Sequence, residues 1–375
     1  MDPIGKGDEM DEEYMHQACV QAYRGRHDVA PNPLVGACIV KDDAVIATGY
    51  HARFGSHHAE IDALKEAGDK AHGATLYVTL EPCCHHGKQP PCTDAIIKAG
   101  IAKVVIGSLD PNPLVNGGGC EALRQAGIEV IEGIGRDECI EMNRFFFHHI
   151  LSGYPYVTVK YAMTSDGKIA CYTGNSRWIS CEESREHVHQ QRSIHQAIMV
   201  GISTVIADDP LLTSRIDGGR NPLRVICDSS LRLDMESQVV KTAHRIPTVI
   251  ATCCQDISRW KSYEDAGCQI IACPRSERGV DLPYLMGELG KRGINSVYIE
   301  GGGQLIWSAF NEELVNRVHC YLAPLIVGGS SSPTPVSGQG VDAPEKGYRL
   351  ERRKVSTIGR DLFIESEVSY VHGAC

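Results

Sequence analysis

The sequence at residues 58–109 reads HAEIDALKEAGDKAHGATLYVTLEPCCHHGKQPPCTDAIIKAGIAKVVIGSL. The spacing of its apolar residues predicts a helix, a strand, a second helix and a second strand, and a glycine follows each helix. Three short groups within it carry residues that bind metals or move protons: His58-Ala59-Glu60, Pro82-Cys83 and Pro91-Cys92. Zinc binds imidazole and thiolate, and a catalytic zinc keeps its fourth position open for water. The stretch therefore predicts a catalytic zinc site with three ligands, His58, Cys83 and Cys92.

Glu60 gives this site a chemical role. Hydrolytic deamination needs a group that takes a proton from water and passes it to the leaving nitrogen. A carboxylate two residues from a metal ligand is well placed for that transfer. The order H-x-E followed by P-C-x-x-C is the signature of zinc deaminases, although eight residues separate the two cysteines here. The pattern predicts zinc-dependent deamination of a nitrogen heterocycle, with Glu60 as the proton shuttle.

The same stretch leaves the ligand register open. Further metal-binding groups lie beside the proposed ligands, namely His57, Cys84, His85 and His86. A structural zinc site would recruit one of them as a fourth protein ligand. Use of His57 or Cys84 instead of its neighbour would shift the register by one residue.

Outward from this stretch, the pattern predicts a three-layer α/β domain. A helix is expected at residues 11–25, and strands at 34–40 and 44–51 are expected to form a hairpin. Residues 120–133 repeat the step from helix to strand. We assign residues 1–146 to this first domain, and residues 147–153, where Ser152 and Gly153 interrupt the pattern, to a linker.

A second α/β domain is predicted for residues 154–375. Strands are expected at 156–163, 197–201, 223–228, 247–252, 269–273 and 296–300, separated by helical stretches, and the end of the chain is rich in strands. This order favours a mostly parallel sheet. Residues 328–340 are rich in glycine, serine and proline and are predicted to form a surface loop.

Composition limits the possible partners and the cellular compartment. The chain has 375 residues, 16 cysteines and a formal net charge of −10. Its acidic N-terminal residues do not resemble a secretion signal, and no apolar run is long enough to span a membrane. We therefore expect a cytoplasmic protein with reduced cysteines that binds neither membranes nor nucleic acid.

Longer runs extend the pattern beyond the generic deaminase signature. They are VAPNPLVGACIV, EPCCHHGKQPPCTDAIIKAGIAKVVIGSLDPNP, VKYAMTSDGKIA, GNSRWIS, ADDPLLTSR, YIEGGGQL and APLIVGG. With these runs the chain closely resembles the bifunctional deaminase/reductase family of bacterial and plant riboflavin biosynthesis, from about residue 11 to residue 369. The resemblance implies a cytidine-deaminase-like domain followed by a dihydrofolate-reductase-like domain. Cys84 and His57 depart from it, since serine and a small residue or proline are expected there.

For the first domain, the resemblance implies the ligands His58, Cys83 and Cys92 with Glu60 as acid and base. The implied substrate is 2,5-diamino-6-(5-phosphoribosylamino)pyrimidin-4-one, a phosphorylated pyrimidine riboside. The residues implied to contact it are Asn32, His85, Lys88, Asp110 and Asn112. An amide can recognise ring donors and acceptors, and a lysine with a histidine can offset a phosphate.

For the second domain, the residues alone offer one weak motif, Gly301-Gly302-Gly303 between a strand and a helix, which suits a phosphate. The resemblance implies NADPH bound at Ala162, Trp178, Thr204, Asp208, Gly302, Gly303, Gln304, Leu305, Ile306, Trp307 and Ser308. It implies substrate contacts at Lys160, Asp166, Ser176, Arg192, Leu212, Arg215 and Glu300. Arg192 and Arg215 are expected to clamp the ribose phosphate, because guanidinium binds phosphate with parallel donors.

The combined expectation is a two-step enzyme. The first domain removes an exocyclic amine from the pyrimidine, and the second reduces the ribosyl chain to ribityl with NADPH. The alternative is a zinc deaminase whose second domain does not reduce. Whether the chain forms a homo-oligomer stays open.

Overall fold

Two units make up the chain, Met1–Gly153 and Tyr154–Cys375. They are seen in a computed structural model that describes residues 6–85, 90–112 and 115–370. Among the described helices, none combines the length and the apolar character of a membrane-spanning segment.

The first unit is built on a five-stranded sheet in the order β2-β1-β3-β4-β5. Its strands are β1 (Gly36–Lys41), β2 (Ala44–Tyr50), β3 (Thr75–Leu80), β4 (Lys103–Ser108) and β5 (Glu129–Glu132). Its helices are α1 (Lys6–Ala22), α2 (Ala59–Ala67), α3 (Cys92–Lys98), α4 (Gly118–Gln125), α5 (Arg136–Met142) and α6 (Arg144–Ser152). β1 runs antiparallel to β2 and β3, whereas β3, β4 and β5 are parallel.

Successive side chains of each strand point to opposite faces of the sheet, and helices cover both faces, which gives three layers. In β1, Ala37 and Ile39 face the core that contains α2, α3 and α4. Cys38 and Val40 face the opposite core, which α1 and α5 cover. Because successive strand residues point to opposite faces, a buried strand needs apolar residues at every position, and GACIV supplies them. The fold class predicted for this unit is confirmed.

A close approach at Gly49 places α2 against the sheet. A Cβ atom at Gly49 would lie 2.2 Å from the carbonyl oxygen of Ala59 and 2.5 Å from the nitrogen of Ala63. Only glycine permits this packing. The N-terminus of α2, and with it His58 and Glu60, is therefore held directly over β2.

Residues 147–153, predicted to form a linker, lie mostly within α6. Helix α6 contains three phenylalanines and an isoleucine, and these apolar residues allow it to continue as a helix. Gly153, with φ of 75°, ends it in the left-handed conformation. The interruption detected in the sequence therefore corresponds to the C-terminus of α6.

The second unit contains a nine-stranded sheet in the order β10-β9-β8-β7-β13-β6-β14-β16-β15. Its strands are β6 (Tyr156–Thr164), β7 (Ala197–Gly201), β8 (Leu223–Cys227), β9 (Thr248–Thr252), β10 (Gln269–Ala272), β13 (Ser296–Glu300), β14 (Val315–Ala323), β15 (Arg349–Ile358) and β16 (Asp361–Ser369). A small separate hairpin is formed by β11 (Arg275–Ser276) and β12 (Gly279–Val280). The helices are α7 (Glu182–Ile194), α8 (Ile202–Asp208), α9 (Gln238–Lys241), α10 (Ile257–Asp265), α11 (Leu282–Lys291) and α12 (Gly303–Asn311).

The parallel part of this sheet extends from β10 to β14, and β16 runs antiparallel to both of its neighbours, β14 and β15. Helices α11 and α12 pack on one face, and α8, α9 and α10 pack on the other. The mostly parallel sheet predicted from the order of strands and helices is confirmed. Polar side chains that follow the carboxyl ends of parallel strands are thereby gathered at one edge of the sheet.

Arg224 is a fully buried cation in the middle of β8. It donates to the carbonyl oxygens of Leu211, Val239 and Ile246, at 3.3, 2.9 and 3.0 Å. Burial lowers its pKa to about 10. Because carbonyl dipoles take the place of a counter-ion, Arg224 joins β8 to the segments on either side of it, including the one that carries Leu212.

Replacement Arg224→Met is expected to destabilise the second unit by about 3–5 kcal/mol, because it removes a fully buried guanidinium that bonds three carbonyl oxygens and two threonine hydroxyls. All three tryptophans of the chain, Trp178, Trp260 and Trp307, lie in this unit, so tryptophan fluorescence during urea unfolding reports on it alone. The exposed Arg292→Met is the control and should change stability by less than about 0.5 kcal/mol. Equal midpoints for the two variants would contradict the structural role of Arg224.

Candidate active sites

The three predicted zinc ligands meet at the N-termini of two helices. His58 immediately precedes α2, and Cys92 is the first residue of α3. His58 Nδ1 lies 3.1 Å from Cys92 Sγ and 3.7 Å from Cys83 Sγ. All three potential ligand atoms lie within 4.8 Å of one another. One imidazole and two thiols at this separation are a donor set that fits zinc with one position left open.

The neighbouring candidates lie outside this cluster. The His57 side chain is exposed, and its backbone carbonyl accepts a hydrogen bond from His51. Among the described residues, neither Cys84 nor His85 belongs to the group that could hold a metal. His86 falls outside the described residues. The geometry therefore favours His58 and Cys83 as ligands over their neighbours His57 and Cys84.

Glu60 lies beside the cluster and is only 3% exposed. Its Oε2 atom has no hydrogen-bond partner among the described residues. Burial raises the pKa of its carboxyl group, opposed by the nearby His58. A buried carboxylate oxygen without a hydrogen-bond partner costs free energy unless a ligand or a water molecule donates to it. Glu60 is therefore available to exchange a proton in the cavity that it lines.

That cavity has a volume of about 170 Å³ and is lined by His58, Glu60 and Cys83. The predicted substrate residues that line it are Asn32, His85, Asp110 and Asn112. Lys88, also predicted to contact substrate, lies outside the described residues.

A buried histidine that the sequence did not suggest fixes the orientation of Asn32. His51 Nδ1 lies 2.9 Å from the carbonyl oxygen of His57, so this nitrogen carries the proton. Burial lowers the pKa of His51, which keeps the ring neutral. Its Nε2 atom, 3.1 Å from Asn32 Nδ2, then accepts from the amide. The amide oxygen of Asn32 is left for a donor on the ligand. No spacing rule points to His51, which directly follows β2.

Glu81 is a second residue that the sequence did not suggest. It is buried, and its carboxylate accepts the backbone N–H groups of Asp110, Gly117, Gly119 and Cys120 at 2.9–3.2 Å. The carboxylate thereby fixes the loop between β4 and α4, while Asp110 Oδ1 accepts the N–H of Asn112 at 2.8 Å. Its position directly after a buried strand and before Pro82-Cys83 was the available signal.

In the second unit, most of the predicted residues line one cavity of about 700 Å³, here called the large cavity. Those that line it are Lys160, Ala162, Ser176, Trp178, Arg192, Thr204, Asp208, Leu212, Arg215, Glu300, Gly302 and Ile306. Trp178 is 64% exposed, with the guanidinium of Arg185 lying 4.4 Å from its ring centroid. An exposed aromatic face over an open cavity suits a flat ring.

Buried charges meet on one wall of the large cavity. Arg192 donates from Nε and Nη2 to the two oxygens of Glu300, at 2.6 and 2.9 Å. Lys160 Nζ lies 4.0 Å from Glu300 Oε2. Burial opposes ionisation of Glu300, but the Arg192 charge and its hydrogen bonds outweigh burial and lower the pKa of Glu300. Burial lowers the pKa of Lys160, and Glu300 opposes that shift.

The expected clamp of Arg192 and Arg215 stays a prediction, since both residues line the large cavity, and the structure adds an internal partner to one of them. Arg192 also donates to the carbonyl of Thr213 at 3.0 Å, so most of its donors are occupied within the protein. Arg215 is exposed and lies in the left-handed backbone region, with φ of 53°. A buried carboxylate that could pair with Arg192 was not apparent from the sequence, because 108 residues separate the two.

Two predicted residues, Asp166 and Trp307, line neither the large cavity nor the second cavity described below. Asp166 accepts backbone N–H groups of Val327 and Gly328, at 3.2 and 2.7 Å, and so closes a turn. Trp307 is buried and packs against Tyr348, with ring centroids 6.2 Å apart. Both side chains hold the fold around the cavity instead of lining it.

The glycine turn joins the large cavity to another one. Gly301 and Gly302 have φ of 79° and 81°, which glycine adopts without strain. A second cavity, of about 280 Å³, shares Gly302 with the large cavity. The remaining predicted cofactor residues, Gly303, Gln304, Leu305 and Ser308, line this second cavity.

Each of the two units matches a known protein family. Residues 8–108 match the cytidine and deoxycytidylate deaminase zinc-binding region, and residues 155–364 match the RibD C-terminal domain. The chain is 46% identical over 355 residues to the riboflavin biosynthesis protein RibD of Actinobacillus pleuropneumoniae, which covers 95% of this chain and 94% of that protein.

Solved structures of similar proteins match over nearly the same length. RibD of Acinetobacter baumannii has a TM-score of 0.86 and 34% identity, covering 96% of this chain and 99% of that one. A diaminohydroxyphosphoribosylaminopyrimidine deaminase/5-amino-6-(5-phosphoribosylamino)uracil reductase from Thermotoga maritima has a TM-score of 0.85 and 35% identity, covering 97% and 100%. The similarity therefore spans both units.

Proposed function

The chain belongs to the RibD family of bifunctional deaminase/reductases of riboflavin biosynthesis, and from this premise we propose how its residues act. The observation that carries the proposal is the cluster of His58, Cys83 and Cys92 beside the buried carboxylate of Glu60, whose Oε2 atom has no partner among the described residues. The substrate proposed is 2,5-diamino-6-(5-phosphoribosylamino)pyrimidin-4-one. Its exocyclic amine is hydrolysed in the first unit, and its ribosyl chain is reduced in the second.

In the first unit, His58, Cys83 and Cys92 would hold zinc, which when bound would lower the pKa of the water that attacks the ring. Glu60 takes the proton from the attacking water and delivers it to the leaving amine, which departs as ammonia. A structural zinc would need a fourth protein ligand, and none is offered by the described residues around the cluster.

The pyrimidine is oriented by the cavity wall. The Asn32 oxygen, left unpaired by the bond to His51, accepts from the ring or its amine. Asp110, whose N–H is held by Glu81, and Asn112 line the same cavity. His85 with Lys88 offsets the phosphate. The small volume of this cavity, about 170 Å³, suits one heterocyclic ring.

In the second unit, NADPH and the deaminated substrate share the large cavity. Bound NADPH supplies a hydride. Trp178 would provide an apolar face for a ring, the N–H groups of the glycine turn would bind phosphates, and Glu300 with Lys160 would bind the substrate's polar groups. The alternative, a deaminase whose second unit does not reduce, is disfavoured by the match to the RibD C-terminal domain across residues 155–364.

Two assays test the two steps. Ammonia should be released from the phosphorylated diaminopyrimidinone, and NADPH should be oxidised when the deaminated product is added. Ammonia release without NADPH oxidation would support the alternative. We also propose a cytoplasmic location, because the fifteen described cysteines are all free thiols, as expected in a reducing compartment.

Adjacent cysteines allow a matched test of the metal site. Cys83→Ser is expected to lose the bound metal and ammonia release together, because serine is a poor zinc ligand. Cys84→Ser should retain about one zinc per chain, since Cys84 is outside the cluster. Metal content by elemental analysis and ammonia release are both measured. Loss of zinc in Cys84→Ser alone would show that the register is shifted by one residue.

A further inference from the structure

Helix α6 contributes one side chain, Phe146, to the wall of the cavity of about 170 Å³ in the first unit, here called the zinc-site cavity. Phe146 lies beyond residues 8–108, which match the deaminase zinc-binding region. Among the described residues that line this cavity, it is the only phenylalanine, tyrosine or tryptophan. The zinc-site cavity therefore contains one aromatic hydrocarbon ring, and that ring comes from a helix outside the matched region.

The start of α6 is fixed to the segment that carries Asn32. Asn143, only 2% exposed, directly precedes α6. Its Oδ1 atom accepts the N–H of Leu34 at 2.7 Å, and its Nδ2 atom donates to the carbonyl oxygen of Leu34 at 2.8 Å. No residue within α6 itself is fully buried, so this pair of hydrogen bonds is an important restraint on the helix. It holds Phe146 and Asn32 in a fixed relation on the wall of one cavity.

The two neighbouring phenylalanines have other surroundings. Successive side chains of a helix point in directions about 100° apart, so one of three consecutive residues can face a cavity while the others do not. The ring of Phe145 lies against the guanidinium of Arg144, which is 4.6 Å from the ring centroid. The ring of Phe147 meets that of Phe146 nearly at right angles, with centroids 6.1 Å apart. Neither Phe145 nor Phe147 is among the residues that line the zinc-site cavity.

A flat heterocycle presents different chemistry at its edge and at its faces. Polar side chains that line the cavity, such as Asn32, Glu60 and Asp110, suit the donors and acceptors at the edge of the ring. The faces of the ring need apolar contact. A phenyl ring is suited to this, because aromatic rings pack face to face with an offset or edge to face. Aromatic side chains bind nucleic-acid bases by the same contact.

We propose that Phe146 packs against a face of the pyrimidine ring and makes the zinc-site cavity selective for a flat aromatic ring. The inference rests on the proposed deaminase function, and Phe146 is a binding residue in it, without a part in proton transfer. A contact with the face of the ring is made before and during the reaction alike. Its loss is therefore expected to change KM much more than kcat.

Kinetics of ammonia release test this with a matched pair of variants. Phe146→Leu keeps an apolar side chain of similar size but removes the ring, and it should raise the KM for the phosphorylated diaminopyrimidinone about tenfold, which corresponds to about 1.4 kcal/mol. The control Phe145→Leu makes the same change one residue earlier on α6, outside the cavity, and should leave KM unaltered. Both variants should retain zinc and oxidise NADPH with the deaminated product, which reports that they are folded.

Inhibition by fragments of the substrate locates the lost contact. The fragments are 2,5,6-triaminopyrimidin-4-one, which is the ring without its sugar, and ribose 5-phosphate, which is the sugar without its ring. Phe146→Leu should weaken inhibition by the ring about tenfold and leave inhibition by ribose 5-phosphate unchanged.

Three results would overturn the assignment. They are an unaltered KM in Phe146→Leu, an equal rise of KM in Phe145→Leu, and a fall of kcat or a loss of zinc without weaker binding of the ring fragment. A wild-type protein that releases no ammonia would instead contradict the proposed deaminase itself. That result is distinct from an active wild type whose KM does not respond to Phe146→Leu.

Discussion

Glu60→Gln is expected to reduce ammonia release by about a thousandfold or more, because general acid–base catalysis typically contributes 10²–10⁴-fold and here one group serves both proton transfers. The substitution keeps the shape and the hydrogen-bonding oxygen of the side chain but removes its ability to carry a proton. Glu60 is 3% exposed, so water cannot readily take over its role. The measurement is ammonia release from the phosphorylated diaminopyrimidinone.

Two controls isolate the proton transfer from folding and metal binding. The variant should retain zinc, because Glu60 is not part of the ligand cluster. It should also oxidise NADPH normally with the deaminated product, since Glu300 and Lys160 lie in the other unit. Ammonia release within tenfold of wild type, with zinc present, would falsify the shuttle role.

The local pattern of apolar residues was sufficient to predict most of the fold. Strands such as β1 and β8 are buried on both faces and are therefore apolar at nearly every position, which makes them visible in the sequence. Helix α5, which follows Gly133 and Gly135, was not predicted, and the end of α6 was assigned to a linker because Ser152 and Gly153 interrupt the apolar pattern there.

The grouping of the three candidate ligands could also be predicted, since His58 and Cys92 sit at the starts of helices and Cys83 follows a strand, all of which the pattern marks. His51 and Glu81 could not, because each acts through backbone partners brought close by the fold. The carbonyl of His57 selects the tautomer of His51, and four N–H groups converge on Glu81. Such contacts join segments whose separation in the sequence has no fixed value.

The reductase site was predictable as a set of residues but not as a network of charges. Arg192 was expected to bind phosphate, and the structure pairs it with Glu300. A long side chain on a helix can reach several partners, and its choice depends on which carboxylate is buried within range. Glu300, at the end of β13, is the buried carboxylate that pairs with Arg192. Leaving a buried carboxylate without a cation would cost free energy.

The ion pairs of Glu300 with Arg192 and Lys160 predict the second large effect of a substitution. Glu300→Ala is expected to destabilise the second unit by about 3–5 kcal/mol, because it leaves Arg192 and Lys160 buried without their carboxylate. NADPH oxidation should fall on the order of a hundredfold or more, since the cavity wall that positions the substrate is lost. Ammonia release, a property of the other unit, should persist.

Urea unfolding monitored by tryptophan fluorescence measures the stability of the unit that carries Glu300. The control is Glu288→Ala, which removes an exposed pair with Lys291 and should cost less than about 1 kcal/mol. The pKa of Glu300 is lowered in the folded protein, so its contribution is complete above the ordinary carboxyl pKa of about 4.3 and is lost as pH falls through the lower folded value. The difference between wild type and Glu300→Ala should therefore be constant near neutral pH and shrink only in acid. A difference no larger than that of Glu288→Ala at pH 7 would mean that the buried cations are stabilised without Glu300.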